Sequence, residues 1–362
     1  MVHSGNAQEM FTGTKDVADT HKFNEANLEA WMAEHVEGFE GPLTVKQFKG
    51  GQSNPTYKLF AGGKTYVMRR KPPGKLLPSA HAVDREFRVI DALYPLGFPV
   101  ARPYGLCMDE SVVGTIFYIM DCVEGRILWD GTLPDLEPAE RRAIYEAKVK
   151  TFADLHNVDW RAAGLEGFGK EADYIARQTH RWTKQYVASE TKKIPEMDAL
   201  IDWLPKNIPA GDMTTIVHGD YRLDNMILHP TESKVIAVLD WELCTLGDPL
   251  ADFTYHLMNW VMPSSDPARC ALVDIEDLKA YGIPTMEEYT ALYCEHTGRD
   301  GLPEVDYYFA YNAFRLAAIC QGIVGRVRDG TASNASAATM EARVAPLAEF
   351  AADCARKAGM EG

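Results

Sequence analysis

The stretch His218–Asp240, HGDYRLDNMILHPTESKVIAVLD, constrains the fold more than any other part of the chain. It places a carboxylate at Asp220, an amide at Asn225 and a second carboxylate at Asp240. Two short apolar runs between the amide and the second carboxylate are separated by a polar turn, which predicts a β-hairpin. Because Asp240 closes the second run, we expect the end of a strand to position its carboxylate.

The spacing H-x-D-x-x-x-x-N, followed by an aspartate after a hairpin, is typical of kinases. Phosphoryl transfer needs a carboxylate beside the acceptor hydroxyl and oxygen ligands for the Mg²⁺ that neutralises the ATP phosphates. Asp220 is therefore the candidate catalytic base, and Asn225 and Asp240 are the candidate Mg²⁺ ligands. A lone HGD is also compatible with a turn, and an Asp–Asn pair with a helix cap. The prediction depends on the joint pattern.

Composition limits the class of protein. A chain of 362 residues with 46% hydrophobic and 25% charged residues is typical of a globular protein with two lobes or two domains. The net charge of −15 argues against nucleic acid and anionic membranes as partners. We expect neither a transmembrane segment nor a signal peptide, because no apolar run is long enough and the segment MVHSGNAQEM is polar. Seven scattered cysteines predict reduced thiols and a cytoplasmic location.

The first third of the chain is predicted to contain mainly strands. Residues 1–22 are polar and aperiodic, which predicts a mobile arm. Hydrophobic periodicity predicts a helix over residues 24–36. Alternating patterns and glycine-containing turns predict strands over 44–48, 56–60 and 64–70.

The loop between the first two of these strands contains Gly50, Gly51, Ser53 and Asn54. Glycine lets a backbone approach phosphates closely, so the N–H groups of this loop are candidates for covering the ATP phosphates. A plain hairpin is the alternative for such a loop in isolation. Its position upstream of the HGD segment favours the nucleotide-binding interpretation.

Alternation along the third strand places Val67 and Arg69 on one face. A cation two residues after an apolar residue is the V-A-I-K arrangement of protein kinases, with arginine in place of lysine. We expect Val67 to cover the adenine and Arg69 to bind the phosphates. Lys71 is a rival for the second role, although it lies beyond the strand and precedes a proline.

A helix is predicted over residues 80–94, and its apolar side includes Glu86. A carboxylate on an apolar stripe needs a partner. Arg69 is the expected one, as in the cation–glutamate pair that positions phosphates in kinases. The alternatives are a pair with Arg85 or exposure of Glu86 by a small rotation of the helix.

An extended segment that ends in an acidic, glycine-containing turn predicts a hinge at residues 121–125, where the backbone at Met120 and Cys122 would contact the adenine. The hinge separates an N-lobe over 23–120 from a helical C-lobe over 126–362. The fold class is accordingly α+β. Helical periodicity in the C-lobe covers residues 138–157, 171–192, 303–328 and 335–357.

Arg315 and Arg326 lie on an otherwise apolar predicted helix. A buried guanidinium needs an anion, so these residues either pair with local acids or contact an anionic substrate. Both interpretations are compatible with the sequence.

The motifs HGDYRLDNMILHP, VIAVLDWE, GDPLADF and FRLAAICQGIVGRV resemble those of the aminoglycoside phosphotransferase and choline kinase family. They are especially similar to the kinase-like domain fused to certain acyl-CoA dehydrogenases, and the likeness extends from about Val45 to Arg328. The resemblance implies a protein-kinase-like two-lobed fold, with a small antiparallel-sheet N-lobe and a larger, mostly helical C-lobe. It also implies ATP and Mg²⁺ as cofactors and the roles of Asp220, Asn225 and Asp240 given above.

The acceptor is expected to be the hydroxyl of a small molecule. Too few residues separate Asp240 from Gly247-Asp248-Pro249 for an activation loop, and no A-P-E motif follows, which disfavours a protein substrate. The resemblance implies a hydroxyacyl-CoA or a hydroxy acid. Polycationic aminoglycosides are one alternative for a net-acidic protein. A non-catalytic, pseudokinase-like nucleotide-binding module is another, suggested by arginine at position 69.

Overall fold

The computed structural model describes residues 13–49, 54–74, 81–211, 213–262, 272–329 and 337–361. The chain divides into two compact units, each assembled from separate stretches of sequence. The first unit contains Met1–Leu155, Asp159–Phe168 and His218–Cys244. The second unit contains His156–Val158, Gly169–Val217 and Thr245–Gly362.

The first unit contains an antiparallel sheet of six strands in the order β1-β2-β3-β4-β6-β5. Alternation along β3 explains its buried face, because Tyr57 and Leu59 are buried whereas Phe60, on the opposite face, is exposed. The strands are β1 Thr14–Lys15, β2 Thr44–Phe48, β3 Thr56–Ala61, β4 Lys64–Arg70, β5 Pro103–Cys107 and β6 Phe117–Asp121.

Three α-helices complete the described part of this unit: α1 Glu25–His35, α2 Val83–Leu93 and α3 Pro138–His156, whose last residue belongs to the second unit. Asn24 caps α1, since its side chain accepts a hydrogen bond from the Asn27 N–H. Leu28 and Met32 on α1 are fully buried in a hydrophobic cluster with the sheet residues. Burial of these two side chains fixes α1 against the sheet.

The described part of the predicted mobile arm contacts the sheet. β1 pairs with β2, and the carbonyl of His21 accepts hydrogen bonds from Tyr57 Oη and Arg70 Nη2, both at 3.0 Å. The buried Arg70 guanidinium also lies over the rings of Phe23 and Tyr57, at 5.1 and 5.4 Å. This part of the chain is therefore joined to the sheet by a strand pair at Thr14–Lys15 and by the hydrogen bonds to the His21 carbonyl.

The predicted hairpin is confirmed as β8 Met226–Leu228 paired with β9 Val235–Val238. It belongs to the first unit, whereas the predicted boundary at residues 121–125 assigned it to the C-lobe. A hydrogen bond to the predicted N-lobe accounts for the difference, because the Val238 N–H donates to the Pro99 carbonyl at 2.8 Å. The backbones of Arg126 and Leu228, both in the first unit, exchange two further bonds of 2.8 Å.

The described residues of the second unit are mostly helical, with one short antiparallel pair, β7 Thr215–Val217 and β10 Thr245–Gly247. Asp248 caps α6 by accepting hydrogen bonds from the N–H groups of Leu250 and Ala251. The helices are α4 Tyr174–Ser189, α5 Pro195–Trp203, α6 Pro249–Val261, α7 Leu278–Tyr281, α8 Met286–Thr297, α9 Val305–Arg328 and α10 Ala337–Lys357. The central helix is α9, which packs against α4, α6 and α10. Across the described ranges, no helix has the length and apolar character needed to cross a membrane.

Candidate active site

His218 organises the loop that precedes the hairpin. The ring is fully buried, its Nε2 bonds to the Leu239 carbonyl at 2.8 Å, and its Nδ1 accepts from the Asp220 N–H at 3.2 Å. These two bonds define a neutral ring protonated on Nε2, because the Leu239 carbonyl can only accept and the backbone N–H can only donate. Gly219 between them has φ 83°, and a Cβ there would lie 3.0 Å from Leu243. Glycine is needed at this tight turn.

Asn225 is held against Asp220. Its Nδ2 donates to the backbone carbonyl of Asp220 at 3.0 Å and to Asp220 Oδ2 at 3.3 Å. With the amide nitrogen committed in this way, the amide oxygen of Asn225 is the atom suited to a cation. The Asp220 carboxylate is 24% exposed, so a substrate can approach it.

Asp240 is attached to the same loop through the residue before it. The Leu239 N–H donates to the Asn225 carbonyl at 2.8 Å, while the Leu239 carbonyl bonds to His218. Asp240 itself has φ 62° and ψ 61°, a left-handed conformation that costs a non-glycine residue about 1–3 kcal/mol and is concentrated at functional sites. This turn leaves the carboxylate 36% exposed at the end of β9.

The donor set fits Mg²⁺. The ion prefers hard oxygen ligands and is commonly bound through one or two protein groups together with substrate phosphates. Asn225 Oδ1 and the Asp240 carboxylate are such oxygens. No cluster of three or more His, Cys, Asp or Glu side chains suited to a metal occurs in the part of the chain that the structure describes. A site completed by phosphates, and not an all-protein cage, is the arrangement these residues can form.

The predicted pair of Arg69 and Glu86 is confirmed. Arg69 Nε lies 2.8 Å from Glu86 Oε2, and Arg69 Nη2 donates to Glu86 Oε1 at 3.2 Å. The guanidinium also reaches Asp240, with Nη2 3.5 Å from Oδ1. Burial alone would lower the pKa of Arg69, but the charges of Glu86, Tyr118 and Asp240 outweigh it and raise the pKa. Arg69 is therefore permanently charged beside the predicted Mg²⁺ ligand.

Glu86 is 1% exposed and accepts further hydrogen bonds that sequence reasoning missed. Asn54 Nδ2 donates to Oε1 at 2.7 Å, and the Tyr118 hydroxyl donates to Oε2 at 3.0 Å. Asn54 Oδ1 in turn bonds to His81 Nδ1 at 3.0 Å. The buried Asn54 side chain thus orients the carboxylate that holds Arg69. The alternative partner, Arg85, instead lies over the Phe168 ring at 4.3 Å.

The remaining predicted nucleotide residues are only partly covered by the structure. Gly50, Gly51 and Ser53 lie outside the described residues. Val67 on β4 and Met120 on β6 are register partners and are both buried. The Cys122 N–H, just after β6, donates to the Thr65 carbonyl at 3.3 Å. Lys71 follows the end of β4 and its N–H bonds to the Ile116 carbonyl.

Arg222 and Asp224 add charges to the catalytic loop. Arg222 Nε lies 3.4 Å from Asp220 Oδ1, and its Nη2 lies 2.9 Å from Asp224 Oδ2. Burial raises the pKa of Asp224 in spite of the neighbouring Arg222. Arg222 therefore bridges the candidate base to a buried carboxylate. Asp220 and Asp224 each lie two residues from Arg222 in the sequence. This spacing is the signal that could have indicated the bridge.

The two predicted substrate arginines lie in the second unit, in different surroundings. The Arg315 guanidinium lies over the rings of Tyr255 and Trp182, at 4.9 and 5.9 Å. Burial would lower its pKa, but nearby tyrosines and Asp252 raise it. Arg326 is exposed near the end of the same helix. The expectation of a buried guanidinium is therefore wrong for Arg326, because the last turns of α9 leave this face open.

Comparison with known proteins gives the family. The model of the phosphotransferase enzyme family matches residues 44–292. Human acyl-CoA dehydrogenase family member 11 is 44% identical over 347 residues, which cover 93% of this chain and 44% of that protein. Mouse acyl-CoA dehydrogenase family member 10 is 47% identical over 319 residues, which cover 88% of this chain and 30% of that protein. The chain thus spans less than half the length of these relatives.

Solved structures give the fold. A candidate aminoglycoside phosphotransferase from Ralstonia eutropha is 51% identical, with a TM-score of 0.85 over 93% of this chain and 99% of that chain. A thermostable mutant of aminoglycoside phosphotransferase APH(4)-Ia, in a ternary complex with AMP-PNP and hygromycin B, is 15% identical with a TM-score of 0.56 over 90% and 98% of the two chains. The chain belongs to the phosphotransferase enzyme family and has its protein-kinase-like fold.

Proposed function

We propose that the protein is an ATP- and Mg²⁺-dependent kinase that transfers the γ-phosphoryl group to a hydroxyl of a small molecule. The observation that carries this proposal is the set of hydrogen bonds joining Asp220, Asn225 and the residue before Asp240. Membership of the phosphotransferase enzyme family supports it. The contact between Arg69 and Asp240 adds a fixed positive charge to the same unit.

Asp220 is the proposed catalytic base. Its carboxylate takes the proton of the acceptor hydroxyl as the acceptor oxygen bonds to the γ-phosphorus, and the bond from that phosphorus to the bridging oxygen of ADP breaks. Asn225 orients the carboxylate through Oδ2, and Arg222 keeps a positive charge 3.4 Å from Oδ1. A bound Mg²⁺, held by Asn225 and Asp240, would neutralise charge on the phosphates.

The proposed nucleotide contacts come from the sheet. Arg69, aligned by Glu86, binds phosphate oxygens, for which a guanidinium is suited by its planar set of donors. Val67 covers the adenine, and the backbone at Met120 and Cys122 contacts its edge. Gly50, Gly51, Ser53 and Asn54 are the proposed loop over the phosphates, with the Asn54 side chain serving to anchor it to Glu86.

For the acceptor, we infer a hydroxyacyl-CoA or a free hydroxy acid. The curated relatives are named as acyl-CoA dehydrogenases, and a kinase domain carried on such a chain would share its acyl substrates. Arg315, with Arg326 on the same helix, is the proposed contact for the anionic part of the acceptor. An aminoglycoside is the second candidate, favoured by the Ralstonia eutropha structure with 51% identity.

The test is ATP consumption by the purified protein against hydroxyacyl-CoAs, hydroxy acids and aminoglycosides. We expect turnover with a hydroxyacyl compound that requires Mg²⁺ and is lost in Asp220→Ala. Turnover with aminoglycosides alone would eliminate the acyl acceptor. Binding of Mg²⁺-ATP in calorimetry without phosphorylation of any hydroxyl compound would indicate a nucleotide-binding module instead. Parallel titration with GTP would define the nucleotide preference.

A further inference from the structure

Five buried polar atoms on the facing helices α4 and α9 lack hydrogen-bond partners within the described ranges. Three of them are Thr179 Oγ1, Trp182 Nε1 and the Tyr311 hydroxyl, and the other two are the Tyr186 hydroxyl and Asn312 Oδ1. Thr179 and Tyr311 are 1% and 0% exposed, so bulk water does not reach them. Native proteins pair the great majority of buried polar side-chain atoms, so a group of unpaired ones requires an explanation.

Trp182 and Tyr311 lie close to Arg315. The guanidinium is 5.9 Å from the Trp182 ring, and the charges of Arg315 and Tyr311 interact. Thr179 and Trp182 are three residues apart and share a face of α4, and Tyr311 and Arg315 are four apart and share a face of α9. Helices α4 and α9 pack together, which brings the two faces into one region.

The region is rich in hydrogen-bond donors. The indole N–H of Trp182 and the guanidinium of Arg315 can only donate, and the two hydroxyls can donate as well. Asp252 contributes to the electrostatic environment of Arg315, and Tyr255 covers the guanidinium with its ring at 4.9 Å. The chemical group that would satisfy the Trp182 N–H and the two hydroxyls is an oxygen acceptor, either a carboxylate or a thioester carbonyl.

We propose that the α4–α9 region of the second unit binds an acyl oxygen of the acceptor, with Tyr311 and Trp182 as hydrogen-bond donors and Arg315 as the positive charge. The assignment of this ligand as the phosphorylated molecule rests on the proposed function. The donor arrangement itself depends only on the second unit.

The first measurement is stability without ligand. Tyr311→Phe and Trp182→Phe remove one donor each and keep an aromatic ring. Because an unpaired buried donor stabilises nothing, we expect the melting temperature of each variant to be equal to or above that of the wild type. Tyr307→Phe is the matched control on the same helix, since the buried Tyr307 hydroxyl donates to the Leu204 carbonyl at 2.9 Å. This variant should lose thermal stability.

The second measurement is binding without ATP, by calorimetry. The probes are 3-hydroxyhexanoate, its coenzyme A thioester, and hexane-1,3-diol as a control without an acyl oxygen. We expect the acid or the thioester to bind and the diol to bind at least tenfold more weakly. Tyr311→Phe and Trp182→Phe should each weaken binding of the acyl probe by roughly tenfold, and Tyr307→Phe should leave it unchanged.

The two acyl probes distinguish the sources of the oxygen. Binding of the acid alone identifies a carboxylate, and binding of the thioester alone identifies a carbonyl. The proposal is overturned if neither probe binds, or if both phenylalanine variants bind them like the wild type. Tyr311-dependent binding of a probe that is never phosphorylated would contradict the proposed function and leave this site standing. Phosphorylation of the acceptor at the wild-type rate in both variants would contradict this site and leave the proposed function standing.

Discussion

The carboxylate of Glu86 in the first unit and the hydroxyl of Tyr311 in the second are equally hidden from water, at 1% and 0% exposure, yet their partners differ. Glu86 accepts hydrogen bonds from Asn54, Tyr118 and Arg69. Tyr311 has no hydrogen-bond partner among the described residues. The surroundings of Glu86 satisfy its buried carboxylate internally, whereas the surroundings of Tyr311 leave its hydroxyl without a partner among the described residues.

This difference separates two kinds of site. Catalytic groups act best when they are fixed before the reaction, because no reorganisation is then needed in the transition state. The bonds around Glu86, Arg69 and Asp240 provide such fixation. Groups that recognise a ligand are satisfied only when the ligand is bound, and the donors of the α4–α9 region have this character. Substitutions in the first region should therefore impair catalysis, or reduce stability even when no acceptor is bound.

The largest effect is expected from Asp220→Asn. The substitution keeps the size of the side chain and removes the proton acceptor, so kcat should fall by about 10²- to 10⁴-fold. Steady-state kinetics with the best acceptor measures this, and calorimetry with Mg²⁺-ATP checks that the nucleotide still binds. A variant that retained wild-type kcat would contradict the role of Asp220 and remove the catalytic half of the comparison.

Arg69→Met should destabilise the first unit most. It leaves the buried Glu86 carboxylate without its counter-charge, which typically costs about 3–5 kcal/mol. Arg69→Lys is the matched control, because lysine keeps the charge but supplies a single donor group in place of the guanidinium's two contacts. The free energy of unfolding in urea should therefore decrease less for lysine than for methionine. Equal stability of the wild type and Arg69→Met would show that the ion pair does not hold this region together.

Tyr118→Phe tests one hydrogen bond to Glu86 in isolation. Loss of a bond to a buried charged group should lower the free energy of unfolding by about 1.5–3 kcal/mol. The same substitution at Tyr311 should cost nothing, since that hydroxyl has no partner to lose among the described residues. Thermal unfolding of the two variants side by side measures the contrast directly. Similar losses in both would refute the distinction between the two regions.

The catalytic hairpin and the Arg69–Glu86 pair were predictable because they depend on short-range patterns. The spacing from Asp220 to Asn225 and the alternation along β4 are visible in the sequence, and the structure contains the corresponding hairpin and ion pair. The bonds from Asn54 and Tyr118 to Glu86 each join residues 32 positions apart. No local pattern carries such contacts, since they arise from tertiary packing.

Helix α6 was not predicted for a different reason. Nearly all of its residues, from Pro249 to Trp260, are buried, including the polar Thr254 and His256. A helix that is enclosed on nearly all sides has no exposed polar face, which is the usual sign of a surface helix. By contrast, the predicted range of 138–157 for α3 agrees with the observed Pro138–His156.

The smallest effect concerns pH and Asp224. Burial raises its pKa in the folded protein above the value of an unfolded chain. Folding therefore disfavours the charged form of Asp224. The stability that Asp224 contributes is fully present below the pKa that it has in the unfolded chain, and this stability is lost as the pH rises through the higher pKa of the folded protein. Asp224→Asn lacks this titration.

Melting temperatures of the wild type and this variant, measured from about pH 3.5 to pH 7, test the expectation. The stability of the wild type relative to the variant should be greatest at the acidic end of the series and should decline toward neutrality. A difference that grew with pH would mean that the ion pair with Arg222 outweighs burial, and that this carboxylate belongs with the fully satisfied groups around Glu86.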